Sequence, residues 1–364
     1  MRLVERRSVL LIAVLALACS AAKGSGGTGG AGGGTISEGG ATGSGGTIPG
    51  STDADGGGTV GKDDSGSQDG GLSSTAQKWT QTNWSADNKD LSLYAGQDRV
   101  FARTWDALNG GRTFLTSDNG STWTLIGSAD TDMDILCVAM LNNNVLAGTW
   151  NDLFQSTSGG TSFSALTPTG IPADTAIWSI ATIGTTILAG TLEDVYRSSD
   201  NGSTWTEVKA GIPANAVVTS IVASGNGILA GTDSSGVLSL LNAGTSWTTA
   251  DSIPADAHIT QLAVLGARVF AVTPNGVFVS SNDGSTWTAD TSGLQDVNCL
   301  LVVDGHLFAG TDSNGVYLST DTGGTWTSFS AGMPDGTRVW SLAATSDYIF
   351  AGTNSGVWRI SRSK

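Results

Sequence analysis

The decapeptide Arg197-Ser198-Ser199-Asp200-Asn201-Gly202-Ser203-Thr204-Trp205-Thr206 decides the reading of the chain, because its pattern returns at nearly constant spacing. Written Ser/Thr-x-Asp-x-Gly-x-Thr-Trp, it is complete at Thr116 to Trp123, Ser198 to Trp205 and Ser319 to Trp326, where Asp118, Asp200 and Asp321 fill the acidic slot. Three eroded copies carry Ser158, Asn242 and Asn282 there. The closing aromatics Trp123, Phe163, Trp205, Trp247, Trp287 and Trp326 follow one another at intervals of 40, 42, 42, 40 and 39 residues. A period near 40 means one supersecondary unit per repeat, each stacked on its neighbours.

Between apolar runs, a short stretch of Ser, Asp, Asn and Gly reads as a hairpin turn. The Asp or Asn side chain accepts backbone N–H groups, and Gly takes the left-handed position without a steric penalty. Asn keeps the acceptor and loses the charge, so Asn242 and Asn282 in the acidic slot point to a structural clasp rather than a catalytic acid. A second repeated segment ends in Thr at Thr104, Thr149, Thr191, Thr232, Thr273, Thr311 and Thr353, usually as Ala-Gly-Thr. Seven such units, each with four short strands, predict an all-β fold, a seven-bladed β-propeller of four-stranded blades. The seventh unit stops at Trp358 to Ile360 without a clasp, while Gln77-Lys78-Trp79-Thr80 matches a fourth strand with nothing before it. The N-terminal strand is therefore expected to close the ring and remove the open edge.

The clasp residues resemble the Asp-box, or BNR repeat, of the propellers in sialidases, xyloglucan-cleaving glycosidases, sortilin-type receptors and photosystem II assembly factors. The resemblance spans residues 76–364. It implies the propeller fold and leaves activity open, since those families share the clasp and little chemistry. A sialidase reading would require an arginine triad, a Tyr nucleophile and a paired Glu. Only Arg103, Arg112 and Arg338 are placed near the upper face, and Tyr196 and Tyr317 fall in a core slot. A two-aspartate hydrolase, with a pair such as Asp152 and Asp233, remains an alternative. So does an assembly scaffold for a membrane complex.

Ahead of the propeller, Arg2, Arg6 and Arg7 precede the apolar run Val9 to Ala18, which is too short to span a bilayer and reads as an export signal. Ala16-Leu17-Ala18-Cys19 resembles a bacterial lipobox, predicting lipidation of Cys19 and attachment to the cell envelope. Residues 20–75 hold Gly, Ser, Thr, Ala and Asp with almost no large apolar side chain, the composition of a disordered tether. A net charge of −15 argues against nucleic acid as a partner. The expectation is a monomer that meets the membrane only through Cys19.

Five tryptophans have no place in the repeat: Trp84, Trp105, Trp150, Trp178 and Trp340. Their positions near blade starts and after the repeated Thr predict that they gather on the upper face of blades seven, one, two and three. Asp106, Asp152, Glu193 and Asp194 accompany them, which suits a platform for a glycan or a protein. Trp178 and Trp340 capping the blade core is the competing reading. Asp130-Thr131-Asp132-Met133-Asp134 resembles the start of a calcium loop, but Ile135 stands where the tight-turn Gly belongs. His258 and His306 lack partners at metal-ligand spacing, so no metal and no cofactor is expected. Cys137 and Cys299 occupy equivalent slots on separated repeats and are expected to be buried thiols rather than a disulfide.

Overall fold

In a computed structural model of the chain, the described residues are 77–362, apart from 87–89, 97, 107–109, 129–132, 142–143, 226, 242–243 and 291. Cys19, the tether, the Asn242 clasp and Asp130 to Asp132 lie outside them. Twenty-eight strands form seven four-stranded antiparallel sheets, with no helix among the described residues. Blade 3 is typical, running Ser179–Ile183, Thr186–Gly190, Val195–Ser198 and Thr206–Glu207 from the inside outward. Blade 7 takes its outer strand from the other end of the chain: Thr80 lies opposite Arg359, and Gln81 opposite Trp358. Trp79, just before that strand, is buried and donates from Nε1 to the Phe329 carbonyl at 2.6 Å. Sinking such a ring removes about 150–250 Å² from water, an upper bound near 4–6 kcal/mol.

The three residues of Ala-Gly-Thr do three different jobs. The Ala stands opposite the third-strand aromatic, as in Ala189 with Tyr196, Ala309 with Tyr317 and Ala351 with Trp358. The Gly lies where the next blade presses in: a Cβ on Gly148 would stand 2.7 Å from that of Ile177, and one on Gly310 would stand 2.6 Å from Cγ1 of Val339. The Thr closes the turn that follows, its Oγ1 donating to the carbonyls of Asp152, Gly236, Gly276, Gly315 and Gly356 at 2.7–2.9 Å in five blades. These turns, together with the starts of the inner strands, form one face, called the mouth here. The clasps lie at the opposite ends of the strands.

Side chains of the inner strands then tie each blade to the next. Tyr94 Oη donates to Leu136 O at 2.6 Å, Ser179 Oγ to Val218 O at 2.8 Å, and Ser341 Oγ to Leu91 O at 2.6 Å. Gln261 both donates to Leu300 O and accepts from Leu300 N, each at 2.8 Å. Cys137 and Cys299 are buried free thiols in this slot, and burial pushes each up to about 12. Cys137 Sγ lies 3.4 Å from Ile177 O, so the thiol serves the junction as Ser179 does.

Each clasp is a closed set of hydrogen bonds. Asp200 Oδ1 accepts from Ser198 Oγ and Thr204 N at 2.8 and 2.9 Å, and Oδ2 accepts from Thr204 Oγ1 at 2.6 Å. Asp118 and Asp321 repeat this geometry. Asn282 keeps it through Oδ1, with its amide nitrogen donating to Thr286 Oγ1 at 2.9 Å. The hydroxyl and amide donors of Thr204 and Thr325 hold Asp200 and Asp321 down to about 2.

A folded-state value below the unfolded one, about 3.9, gives stability that is complete above that value and lost as pH falls through about 2. The thermal midpoint is therefore expected to drop between pH 4 and pH 2. Asp200→Asn/Asp321→Asn, which retains an acceptor at both clasps, should show a shallower drop in a melting series. Equal steepness in the variant would remove the clasps as its source.

Candidate functional site

Two positions in each blade feed the mouth. The first follows the repeated Thr and is occupied by Trp105, Trp150, Leu192, Asp233, Pro274, Asp312 and Asn354 in blades 1 to 7. It is apolar in blades 1, 2 and 3 and polar in 4, 6 and 7. The second lies at the start of the inner strand, where the register slips between Ile135 and Cys137, Val218 and Ser220, Val297 and Cys299, and Val339 and Ser341. Such a bulge re-aims the extra residue. Thr219 Oγ1 reaches Ile259 O of the next blade at 2.6 Å, and Asn298 Nδ2 reaches Val339 O at 3.1 Å. Trp178 and Trp340 hold this position in blades 3 and 7.

The strongest departure from the repeat is Arg103, which replaces the Gly of Ala-Gly-Thr in blade 1. Its Nε and Nη2 donate to Asp134 Oδ1 at 3.2 and 3.0 Å. Asp134 Oδ2 accepts from Gly111 N at 3.3 Å and from Trp150 Nε1 at 2.9 Å. The Arg103 and Asp134 side chains are only 13% and 10% exposed, so the pair is largely withdrawn from water. Through it, blade 1 fixes the indole of blade 2. Trp150 in turn meets Trp178 of blade 3, with ring centroids 4.9 Å apart and planes at 79°.

The five tryptophans do not converge. Trp150 and Trp178 form a corner between blades 2 and 3. Trp105 is half-buried on the hairpin Arg99–Asp106 and Gly110–Thr116, longer than its counterparts in the other blades. The Asp106 side chain lies outside the described residues. Trp84 corrects the expectation: it packs edge-on against Trp123 and Phe114, with centroids at 5.0 and 5.1 Å. The chain leaving the closing strand passes the clasp of blade 1, where Asn83 N donates to Gly120 O at 3.1 Å, before it reaches the inner strand. Trp340 stands apart on blade 7 beneath Arg338, whose Cζ is 4.6 Å from the ring centroid and whose guanidinium pairs with Asp312 at 2.7 Å.

The acids divide as sharply. Glu193, in a left-handed turn at φ 67°, accepts Asn215 N at 2.6 Å, and Asp194 lies 3.0 Å from Lys209 Nζ. Both fasten the connection into blade 4 and do not join the aromatic corner, a second correction. Asp233 Oδ1 accepts Val217 N at 2.8 Å. Asp134, the last residue of the stretch that resembles the start of a calcium loop, is the buried partner of Arg103. Asp152 is half-buried and follows Trp150 by two residues. Burial, and then the charge of Asp174, push its carboxyl up from the usual range. Among the described residues, no group of three His, Cys, Asp or Glu could hold a metal ion. Sequence reasoning missed Asp174 and Leu192, and it did not see that Arg103 and Asp134 meet. The loss of Gly at Arg103 was the visible signal.

A cleft of about 270 Å³ between blades 5 and 6 has its polar groups engaged within the fold. Arg268 Nη1 donates to Thr322 O at 2.6 Å, and Asp290 Oδ2 accepts Ser292 Oγ at 2.6 Å.

The family model described as the DUF6242 beta propeller domain matches residues 218–357. No curated protein is similar to the chain. Among solved structures, YCF48 bound to D1 peptide is 16% identical with a TM-score of 0.58, over 79% of this chain and 97% of that one. The extracellular domain of BT4673 from B. thetaiotaomicron is 18% identical with a TM-score of 0.60, over 79% of this chain and 40% of that one. The GH74 xyloglucanase from Xanthomonas campestris is 15% identical with a TM-score of 0.58, over 78% of this chain and 53% of that one. At these identities the likeness is one of fold.

Removing one member of a buried ion pair strands the other. Asp134→Ala is expected to lower stability by about 3–5 kcal/mol. Arg103→Ala/Asp134→Ala should lose less than the two single changes summed, because the pair acts as a unit. Urea denaturation of the three variants measures this, and strict additivity would mean the two side chains are energetically independent.

Proposed function

We propose that the chain is an exported, non-catalytic binding module whose ligand, a glycan or a protein, sits at the mouth over blades 1 to 3. The observation that carries this reading is the Arg103–Asp134–Trp150 linkage. A buried ion pair is a poor source of stability, yet here it holds an indole at the rim, half-buried, against a second indole. Pre-fixed aromatic rings bind at little entropic cost, which suits recognition.

Hydrolysis of a glycosidic bond needs two carboxylates about 5–9.5 Å apart, with separated pKa values and access to substrate. Asp134, Asp194 and Asp312 are ion-paired, and Asp233 and Glu193 accept backbone N–H groups. Asp233, one half of the pair that Asp152 would need, is held by Val217 N, which favours binding over that two-aspartate hydrolase reading. The clasp geometry at Asp118, Asp200 and Asp321 supports membership of the Asp-box propellers. BT4673, whose matching part is an extracellular domain, is in keeping with export. An envelope anchor through lipid on Cys19 follows from the signal-like N-terminus.

Trp150→Ala/Trp178→Ala should lower retention on immobilised glycan and peptide panels at least tenfold for whichever member wild type holds, with cooperative unfolding preserved. Retention unaffected by the double change would move the site elsewhere. Cys19→Ala should shift the protein from washed envelopes to the soluble fraction, and persistence in the envelopes would refute the lipid anchor.

A further inference from the structure

Trp150 and Trp178 each bring a carboxylate from their own turn. Asp152 closes the Thr149 turn two residues after Trp150, and its carbonyl accepts Thr149 Oγ1 at 2.9 Å. Asp174 lies four residues before Trp178 in an exposed left-handed position at φ 61°. Among the described residues, neither carboxylate receives a hydrogen bond or an ion pair. Several other mouth acids are engaged: Asp134 has Arg103, Asp194 has Lys209, Asp312 has Arg338, and Glu193 and Asp233 take backbone N–H groups. Asp152 and Asp174 are the uncompensated carboxylates next in the chain to the perpendicular tryptophans, and burial, then the charge of Asp174, push the Asp152 carboxyl up.

We propose that this corner takes a cationic side chain, lysine or arginine, presented by an extended segment of a partner protein. The proposal rests on the reading of the mouth as a binding site and names its ligand. Indole faces carry negative potential and attract cations, and a cation here would relieve both carboxylates at once. A neutral sugar could stack on the rings but would leave both carboxylates uncompensated. Leu192, 46% exposed after the repeated Thr of blade 3, and the half-buried Trp105 in the same position of blade 1 offer apolar surface at the mouth to the flanking residues of such a segment. The net charge of −15 favours approach of a basic partner.

The repeat supplies its own control. Asp256 stands in Ile253-Pro254-Ala255-Asp256, the counterpart of Ile171-Pro172-Ala173-Asp174, and no tryptophan follows it. Fluorescein-labelled (Gly-Lys)3 peptide, its lysine-acetylated form and (Gly-Glu)3 are titrated at low salt and followed by anisotropy. Wild type should bind the lysine peptide at least tenfold more tightly than the other two. Asp152→Asn/Asp174→Asn, which keeps a residue that tolerates the left-handed turn, and Trp178→Ala should each weaken binding at least fivefold. Asp256→Asn should stay within twofold of wild type. No binding by wild type, equal binding of the acetylated peptide, or an equal loss in the Asp256→Asn control would overturn the proposal. A panel glycan lost in Trp150→Ala/Trp178→Ala but held by Asp152→Asn/Asp174→Asn would keep the mouth as the site and remove the cation.

Discussion

The ring depends on close approach at the inner strands. Each blade presents a second-strand position where the next blade's first inner residue presses in, and at five of the seven junctions that position is Gly148, Gly190, Gly231, Gly310 or Gly352. A methyl group there would overlap Ile177, Val218, Ile259, Val339 or Leu91. Contact this tight excludes water from the junction. Polar side chains of the inner strands then bond across it, from Tyr94 to Leu136 between blades 1 and 2 and from Ser341 to Leu91 between blades 7 and 1. With the inner strands joined in this way, the closing strand at Thr80–Gln81 has only to complete the last outer edge.

Where Arg103 breaks that rule, the mouth gains its candidate site. Arg103 cannot lie in a glycine's space as an unpaired charge, and Asp134 neutralises it from the neighbouring blade. The carboxylate has acceptor capacity left over, and the Trp150 indole uses it. A departure from the packing rule thus becomes a fixed aromatic at the mouth. The described clasps show no comparable departure: at Asp118, Asp200, Asn282 and Asp321 the same bonds recur with small changes of donor or charge.

The tryptophans show how far local reasoning reaches. Trp205, Trp247 and Trp287 are buried next to the clasps, where the repeat places them. Trp84 was misplaced because its position depends on the path between the closing strand and blade 1, a path with no counterpart elsewhere in the sequence. Glu193 and Asp194 look like free acids in a turn. They bind Asn215 and Lys209 because the connection into blade 4 returns past them.

The sequence by itself determined the number of blades, the turn chemistry and the closing strand, since those follow from residues within one forty-residue unit repeating its local hydrogen bonds. The tertiary structure alone decided which aromatics meet and which acids stay unpaired. Arg103 finds Asp134 across 31 positions, and Asp134 finds Trp150 across another 16. A single bulged residue sets whether a side chain enters a blade or faces the mouth, because successive residues of a strand point to opposite sides. That choice belongs to the packing between blades, which no one repeat contains.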